Sequence, residues 1–409
     1  MERKISRRTF LKSAAKGGLG VMVGAQSMGI ITPRLARAQK PVRILIGSTF
    51  SGAYAEAGML TSRGADLAVE HFGGKVLGRP IELITRDVPS PSEGVRRAKE
   101  AVERFGCEYI TISPSSETVL AVMEYVAKTK SAVMLAGGAS DKITGEACNK
   151  YTFRLVTPCW GGIREVVPRI IDEYKVNTFY TITPEYVFGE DLLRNTKEVL
   201  EQRGKILLGN SYHPLGETEY SPYITKAMSA KADCVLFLNF SGDTVNALKQ
   251  AQNFGLKKVS KIGVVWGSGV TQMKAIGAKV LEDIVFGMEY FYKIDSPLNN
   301  KVRKAYQEKH GTVSPFLAAA GYAYVYHYLE VVKKAGSTDP IKVIKAWEGF
   351  ETEGLTGRET WRACDHQCIR NFYTVRCKGP QDMKHEEDFA DIIGYSKHFL
   401  PCEKTGCVM

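Results

Sequence analysis

The chain has none of the short motifs that carry nucleotide, zinc or acyl-transfer chemistry. It lacks a GxxxxGK[ST] phosphate loop, a GxGxxG turn after a strand and an HExxH pair. Trp266-Gly267-Ser268-Gly269-Val270 does not fit the GxSxG elbow that exposes a serine nucleophile. The seven histidines, His71, His213, His310, His327, His366, His385 and His398, stand singly; lone histidines are more often surface or satisfied core residues than ligands. The chain therefore reads as a protein that binds without turnover, with no cofactor and no metal. Past the N-terminal region no apolar run is long enough to span a bilayer. Repeats at solenoid spacing and low-complexity linkers are missing too.

An excess of one charge sign is also missing once the first 38 residues are set aside. The whole chain carries a net charge of +11, but residues 1–38 hold eight Lys or Arg and one acid. The remainder is nearly balanced, which removes the electrostatic case for nucleic acid as a partner. Those first residues form a pattern of their own. Arg7-Arg8 precede Phe10-Leu11-Lys12, a Gly- and Ala-rich apolar run extends from Ala14 to Ile31, and Ala36-Arg37-Ala38 supplies a small-x-small cleavage sequence. The pattern resembles a twin-arginine export signal, which implies passage through the twin-arginine translocase and a soluble periplasmic protein beginning near Gln39. An amphipathic N-terminal helix is the alternative, and five glycines between Gly17 and Gly29 weaken it.

From Pro41 onward, short β-rich runs alternate with helical stretches. Val42–Gly47, Ile81–Thr85, Tyr109–Ser113 and Ala132–Ala136 read as strands. Ser90-Pro91-Ser92-Glu93 opens a helix, with a cap, a proline in the first turn and an acid at the positive end of the dipole. The rhythm restarts after Pro158, with strands at Thr178–Thr183, Ile206–Ser211, Cys234–Asn239, Lys261–Trp266 and Ile284–Met288. Crossovers this short force parallel sheets covered by helices on both faces. Helices over Asn300–His310, Phe316–Ala335 and Ile341–Trp347 then lead to a Cys-rich tail.

Several stretches in this order resemble one family. They are Ile44–Gly52, Gly64–Glu70, Gly78–Leu83, Pro114-Ser115-Ser116, Gly137–Ser140, Tyr151–Arg154, Phe188–Asp191 and Ala247–Ala251. Together the chain is similar to the leucine/isoleucine/valine-binding proteins, the periplasmic receptors of branched-chain amino acid ABC transporters. The resemblance implies a type I periplasmic binding protein: two doubly wound α/β lobes joined by three crossings, acting as a monomer that closes over a small-molecule solute and delivers it to an inner-membrane ABC permease. It implies lobe one at 39–158 plus 292–371 and lobe two at 159–291 plus 372–409. A sensor that docks on a membrane receptor uses the same fold and stays open as an alternative, as does an exported enzyme. Amides and urea stand beside amino acids and carboxylates as ligands.

Site residues follow from the same resemblance. Ser115 and Ser116 begin a helix after a strand, where hydroxyls and free N–H groups suit a carboxylate; a plain N-cap is the competing role. Gly138 and Ser140 occupy the second carboxylate loop, although Ser140-Asp141 also suits a turn cap. Phe188, Asn239 and Phe240 are implied to lie over the ligand, with Phe188 equally suited to core packing. After Trp266, where amino-acid binders of the family carry an acid for the ligand ammonium, this chain has Gly267-Ser268-Gly269. An unpaired buried ammonium is costly. Ser268 therefore points toward carboxylates or amides unless Asp243 or another acid substitutes.

Nine cysteines in an exported chain favour disulfides. Five of them, Cys364, Cys368, Cys377, Cys402 and Cys407, fall in the last 46 residues, so the tail is expected to contain at least one bond that braces lobe two. Cys148 and Cys159, on either side of the Phe153-Arg154 strand, form a second candidate pair.

Overall fold

A computed structural model describes residues 40–409; the export signal and its cleavage site lie outside the described residues. In chain order the elements are β1 (Val42–Ser48), α1 (Ala55–His71), β2 (Lys75–Val76), β3 (Arg79–Asp87), α2 (Pro91–Glu103), β4 (Tyr109–Ile112), α3 (Ser116–Thr129), β5 (Val133–Ala136) and β6 (Thr152–Arg154). A second series comprises α4 (Cys159–Tyr174), β7 (Thr178–Pro184), α5 (Val187–Gln202), β8 (Ile206–His213), α6 (Ser221–Ser229), β9 (Cys234–Phe237), α7 (Gly242–Phe254), β10 (Lys261–Val264), α8 (Val270–Ile276), α9 (Ala278–Leu281) and β11 (Val285–Met288). Then come α10 (Pro297–His310), α11 (Phe316–Ala335), α12 (Pro340–Trp347), β12 (Glu351–Gly354), β13 (Gly357–Trp361), β14 (Cys368–Ile369), β15 (Phe372–Cys377) and β16 (Ala390–Ser396).

The first sheet has the order β2-β3-β1-β4-β5-β6, parallel throughout except for the β2–β3 hairpin. The second is β16-β15-β11-β10-β9-β7-β8, in which β15 and β16 are antiparallel additions. Within each, the five parallel strands run second, first, third, fourth, fifth in chain order, the doubly wound arrangement whose switch point lies beside its first strand. The central strands are buried on both faces, so β4, β5, β9 and β11 are apolar runs without polar alternation. The chain passes between the sheets at β6–α4, β11–α10 and β14–β15.

Helix starts follow the local signals. Ser90 accepts a hydrogen bond from the Glu93 N–H at 3.3 Å, with Pro91 in the first turn of α2. The long helix α11, buried almost all round, returns to the first lobe and crosses α1 at backbone contact distance. A Cβ on Gly64 would stand 1.8 Å from the Ala318 carbonyl oxygen, and one on Gly321 would stand 2.0 Å from that of Thr61. Only hydrogen fits at either position.

The cysteines correct the sequence-based expectation. Cys148 bonds Cys407, and the second bond joins Cys364 to Cys402. Cys159 is a free, fully buried thiol at the start of α4, its sulfur facing the Phe188 carbonyl, while Cys148 is taken by Cys407. One bond does lie within the tail, but neither bond braces the second sheet. They fasten the last residues to the β5–β6 connection and to the link between β13 and β14. Cys368 and Cys377 are buried and unbonded. The tail itself, expected only as Cys-rich, supplies β12 to β16.

Because the α1–α11 crossing admits no side chain, Gly64→Ala is expected to cost about 1–3 kcal/mol as the helices are forced apart. Urea unfolding of the mature protein measures this; an unchanged midpoint would show that the crossing relaxes freely.

Candidate functional site

The carboxyl ends of the two parallel sheets face each other, and the loops leaving them line a cavity. From the first lobe come Tyr54 after β1, Ser113 and Pro114 after β4, Gly137 and Ala139 after β5, and Val156 after β6. The second lobe adds Tyr186 and Phe188 after β7, Phe240 after β9 and Trp266 after β10, while Phe316, Leu317 and Tyr324 of α11 close the back. The enclosed space amounts to about 30 Å³, and to about 430 Å³ when the open space at its mouth is counted. No Lys, Arg, Asp or Glu lines it.

Aromatic rings build most of this wall and hold each other in place. The Tyr54 and Phe240 centroids lie 5.8 Å apart across the cleft, Phe188 and Trp266 meet edge to face at 5.7 Å, and Trp266 leans on Phe372 at 4.7 Å. Such tilted contacts suit the ring quadrupoles. The hydroxyls of Tyr54 and Tyr186 share a hydrogen bond of 2.5 Å from one lobe to the other. Burial raises both hydroxyls far above the usual tyrosine range, so they remain neutral donors.

Behind the cavity runs a polar seam between the lobes. Asp191 of α5 accepts from the Ser140 hydroxyl at 2.5 Å and from the Asp141 N–H at 2.9 Å. Asp141 accepts from Asn195 at 2.7 Å and from the Trp160 N–H at 2.8 Å, and Arg194 pairs with both carboxylates. Burial raises the Asp141 carboxyl, and the Asp191 charge beside it adds to that. Ser241, the residue before α7, is held at φ +51° and donates from its hydroxyl to Glu56 at 3.4 Å. Burial raises the Glu56 carboxyl.

The expected site residues therefore divide. Phe188 and Phe240 line the cavity. Ser115 caps α3, accepting from the Thr118 N–H at 3.4 Å, and lines an outer chamber at the cleft mouth. Ser116 is buried behind the wall and accepts from the Ser140 N–H at 3.2 Å. Ser140 is fully buried with its hydroxyl committed to Asp191, and Gly138 packs on Ser116; the neighbouring Gly137 and Ala139 reach the cavity instead. Asn239 is buried, donating to the Tyr220 hydroxyl at 3.3 Å with its carbonyl oxygen unpartnered. Ser268 is buried as well, its hydroxyl without a partner. Sequence reasoning missed Tyr54, Tyr186, Phe316 and Tyr324. Tyr186 was recoverable as the first aromatic after β7, and Tyr54 as the first tyrosine after β1, where open α/β sheets put their ligands. The two on α11 carried no such signal.

Comparison with known proteins decides the family. The periplasmic binding protein family matches residues 41–383. This chain belongs to it. Among curated relatives, it is 24% identical over 376 residues to Leu/Ile/Val-binding protein homolog 6 of Brucella suis biovar 1 (strain 1330), covering 89% of this chain and 92% of that protein. Among solved structures, it is similar to an amino acid ABC transporter substrate-binding protein from Pseudomonas fluorescens Pf-5, with 36% identity, a TM-score of 0.86, and coverage of 91% of this chain and all of that one. It shares its fold, at 21% identity and a TM-score of 0.79 over 88% of this chain and 98% of the other, with a solute-binding protein of an ABC transporter from Rhodopseudomonas palustris BisB5 in complex with 3,4-dihydroxybenzoic acid. The family consists of solute-binding proteins and not enzymes. Among the described residues no helix is long and apolar enough to cross a membrane.

The hinge holds a titrating group in this binding protein. Glu289, on the second crossing, is 1% exposed and accepts from the Thr157 N–H at 2.8 Å on the first. Burial pushes its carboxyl up to about 7, against the pull of Arg370 on the third crossing. A carboxyl raised in the folded state stabilises it fully below the unfolded value and loses that contribution as pH rises toward 7. Glu289→Gln should therefore flatten the fall of melting temperature between about pH 4.5 and 7. Identical slopes in a pH series of thermal melts would show that Glu289 stays ionised.

Proposed function

We propose that this protein is the exported, periplasmic receptor of an ABC transporter of the branched-chain amino acid type. It captures a small amino acid-like or carboxylate-bearing solute with an apolar, ring-sized body by hinge closure and delivers it to an inner-membrane permease. The observation that carries this reading is the aromatic cavity between the carboxyl ends of the two sheets, lined from both lobes and free of ionised side chains. A ring burying about 150 Å² gains roughly 4 kcal/mol at 25 cal/mol/Å², close to a thousandfold in affinity. Charge-assisted hydrogen bonds at the start of α3, worth about 1.5–3 kcal/mol each, would orient the carboxylate beside Ser113 and Ser115. The hydroxybenzoate bound by the Rhodopseudomonas protein of the same fold is a ligand of that shape and charge. Ser140 belongs to the closure seam in this reading, and the carboxylate is met in the preceding loop, between β4 and α3.

Calorimetry on refolded mature protein, with benzoate, phenylacetate, leucine and phenylalanine as probes, tests the proposal. At least one is expected to bind, and Phe188→Ala and Trp266→Ala should each weaken it roughly ten- to a hundredfold, the cost of losing about 1.5–3 kcal/mol of apolar contact. Binding indifferent to both substitutions, or no binding by any probe, would contradict the assignment of the cavity.

A further inference from the structure

Beyond Tyr54 the cleft opens into a second, larger chamber of about 600 Å³ at its mouth. Tyr54 lines both spaces and divides them. The outer wall is mixed: Thr49, Ser51 and Ser115 come from the first lobe and Thr218, Asn246 and Asp243 from the second, with Pro89, Leu215 and Val245 between them. It contains one ionisable carboxylate, Asp243, and no Lys, Arg or His.

Asp243 is 2% exposed, yet its only hydrogen bonds come from one backbone donor, the Gly216 N–H, at 3.1 and 3.3 Å to its two oxygens. Among the described residues several other deeply buried acids carry a cationic partner, although Glu289 and Glu387 also lack an ion pair and are met by Thr157 and by the Val313 N–H instead. Asp191 has Arg194, Glu165 has Arg169, Asp365 has Arg362, and Asp388 has Lys293 and Lys378. Nothing cationic among the described residues pairs with Asp243, and the nearest charge acting on it is Glu217, of like sign. Burial pushes its carboxyl up to about 7. Its charge is felt at the Tyr54, Tyr186 and Tyr220 hydroxyls, that is, at the divider between the two chambers. An ion left this way in a low-dielectric wall is costly unless a counter-charge arrives, and the open face of the wall is the chamber.

We propose that the outer chamber is a cation subsite in which Asp243 receives an ammonium or amidinium group of the solute, whose apolar body lies in the aromatic cavity past Tyr54. The inference rests on the cavity reading above and adds a cationic group at the cleft-mouth end of the ligand, the end that reaches Ser115. It also changes what the absence of an acid at Ser268 means: the counter-charge comes from the first turn of α7 instead of the loop after β10. Amine-bearing ligands are then favoured over neutral ligands of equal size.

The probes are 4-phenylbutylamine and 4-phenylbutanol, equal in length and differing in charge, titrated calorimetrically into refolded mature protein at pH 8, where Asp243 is ionised. The amine is expected to bind at least tenfold tighter than the alcohol, and in Asp243→Asn the advantage should fall below twofold while alcohol binding persists. Val245→Lys, which brings a cation into the same chamber without touching Asp243, should also abolish the amine's advantage. It keeps the test valid if Asp243→Asn does not fold. If the alcohol binds in a Phe188-dependent way and the amine gains nothing, the cation subsite is wrong and the cavity reading stands. An amine advantage that survives both substitutions also overturns the subsite. Failure of both probes to bind wild-type protein would contradict both.

Discussion

Closing two lobes over a cleft takes polar groups of both out of water, and each must find its partner on the opposite lobe or be kept out of the seam. That requirement organises this molecule. Where partners exist they are paired across the gap: Ser140 and Asp141 with Asp191 and Asn195, Tyr54 with Tyr186, Glu56 with Ser241. Where a ligand is to sit, the wall is mostly rings and aliphatic groups, with no ionised side chain that asks for a partner. The same rule explains why Ser140 is a poor ligand contact in this structure: an unmatched Asp191 would cost more than a solute hydrogen bond returns.

The hinge meets the same demand with a denser network. Arg154, fully buried, donates to the Gln367 side chain at 2.6 Å and to the Ser140 carbonyl at 2.5 Å, and Gln367 in turn donates to the Val156 and Cys368 carbonyls. First and third crossings are thereby bonded side by side, and Glu289 ties the second to the first. Burial lowers the Arg154 guanidinium to about 10, still far above neutrality, so it stays charged and each acceptor around it is a charge-assisted partner.

Much of this was legible in the sequence. Period and caps gave the βα order through β11, and the restart after Pro158 marks the second sheet, because parallel strands with short crossovers leave few topologies. The tail was not legible, since β12, β13 and β16 mix charged residues and glycine into their runs, and β15 enters the second sheet through β11, far away in sequence. Cysteine pairing failed for a related reason: closeness along the chain pointed to Cys148 and Cys159, whereas Cys407 reaches Cys148 only after the whole fold is assembled. At the site, loops after strands identified the right regions. They did not tell which residue of each loop faces the cavity: Gly137 and Ala139 reach it while Gly138 and Ser140 turn away. A single-residue difference in loop direction is set by tertiary packing and leaves no mark on composition.

The central claim is that solute binding and lobe closure are one event. Small-angle X-ray scattering of the refolded mature protein, with and without a saturating bound solute, measures it directly. The account predicts a smaller radius of gyration in the bound protein, and a weaker contraction in Asp191→Ala, where the seam behind the cavity loses its acceptor. Tight binding with an unchanged radius of gyration would contradict it.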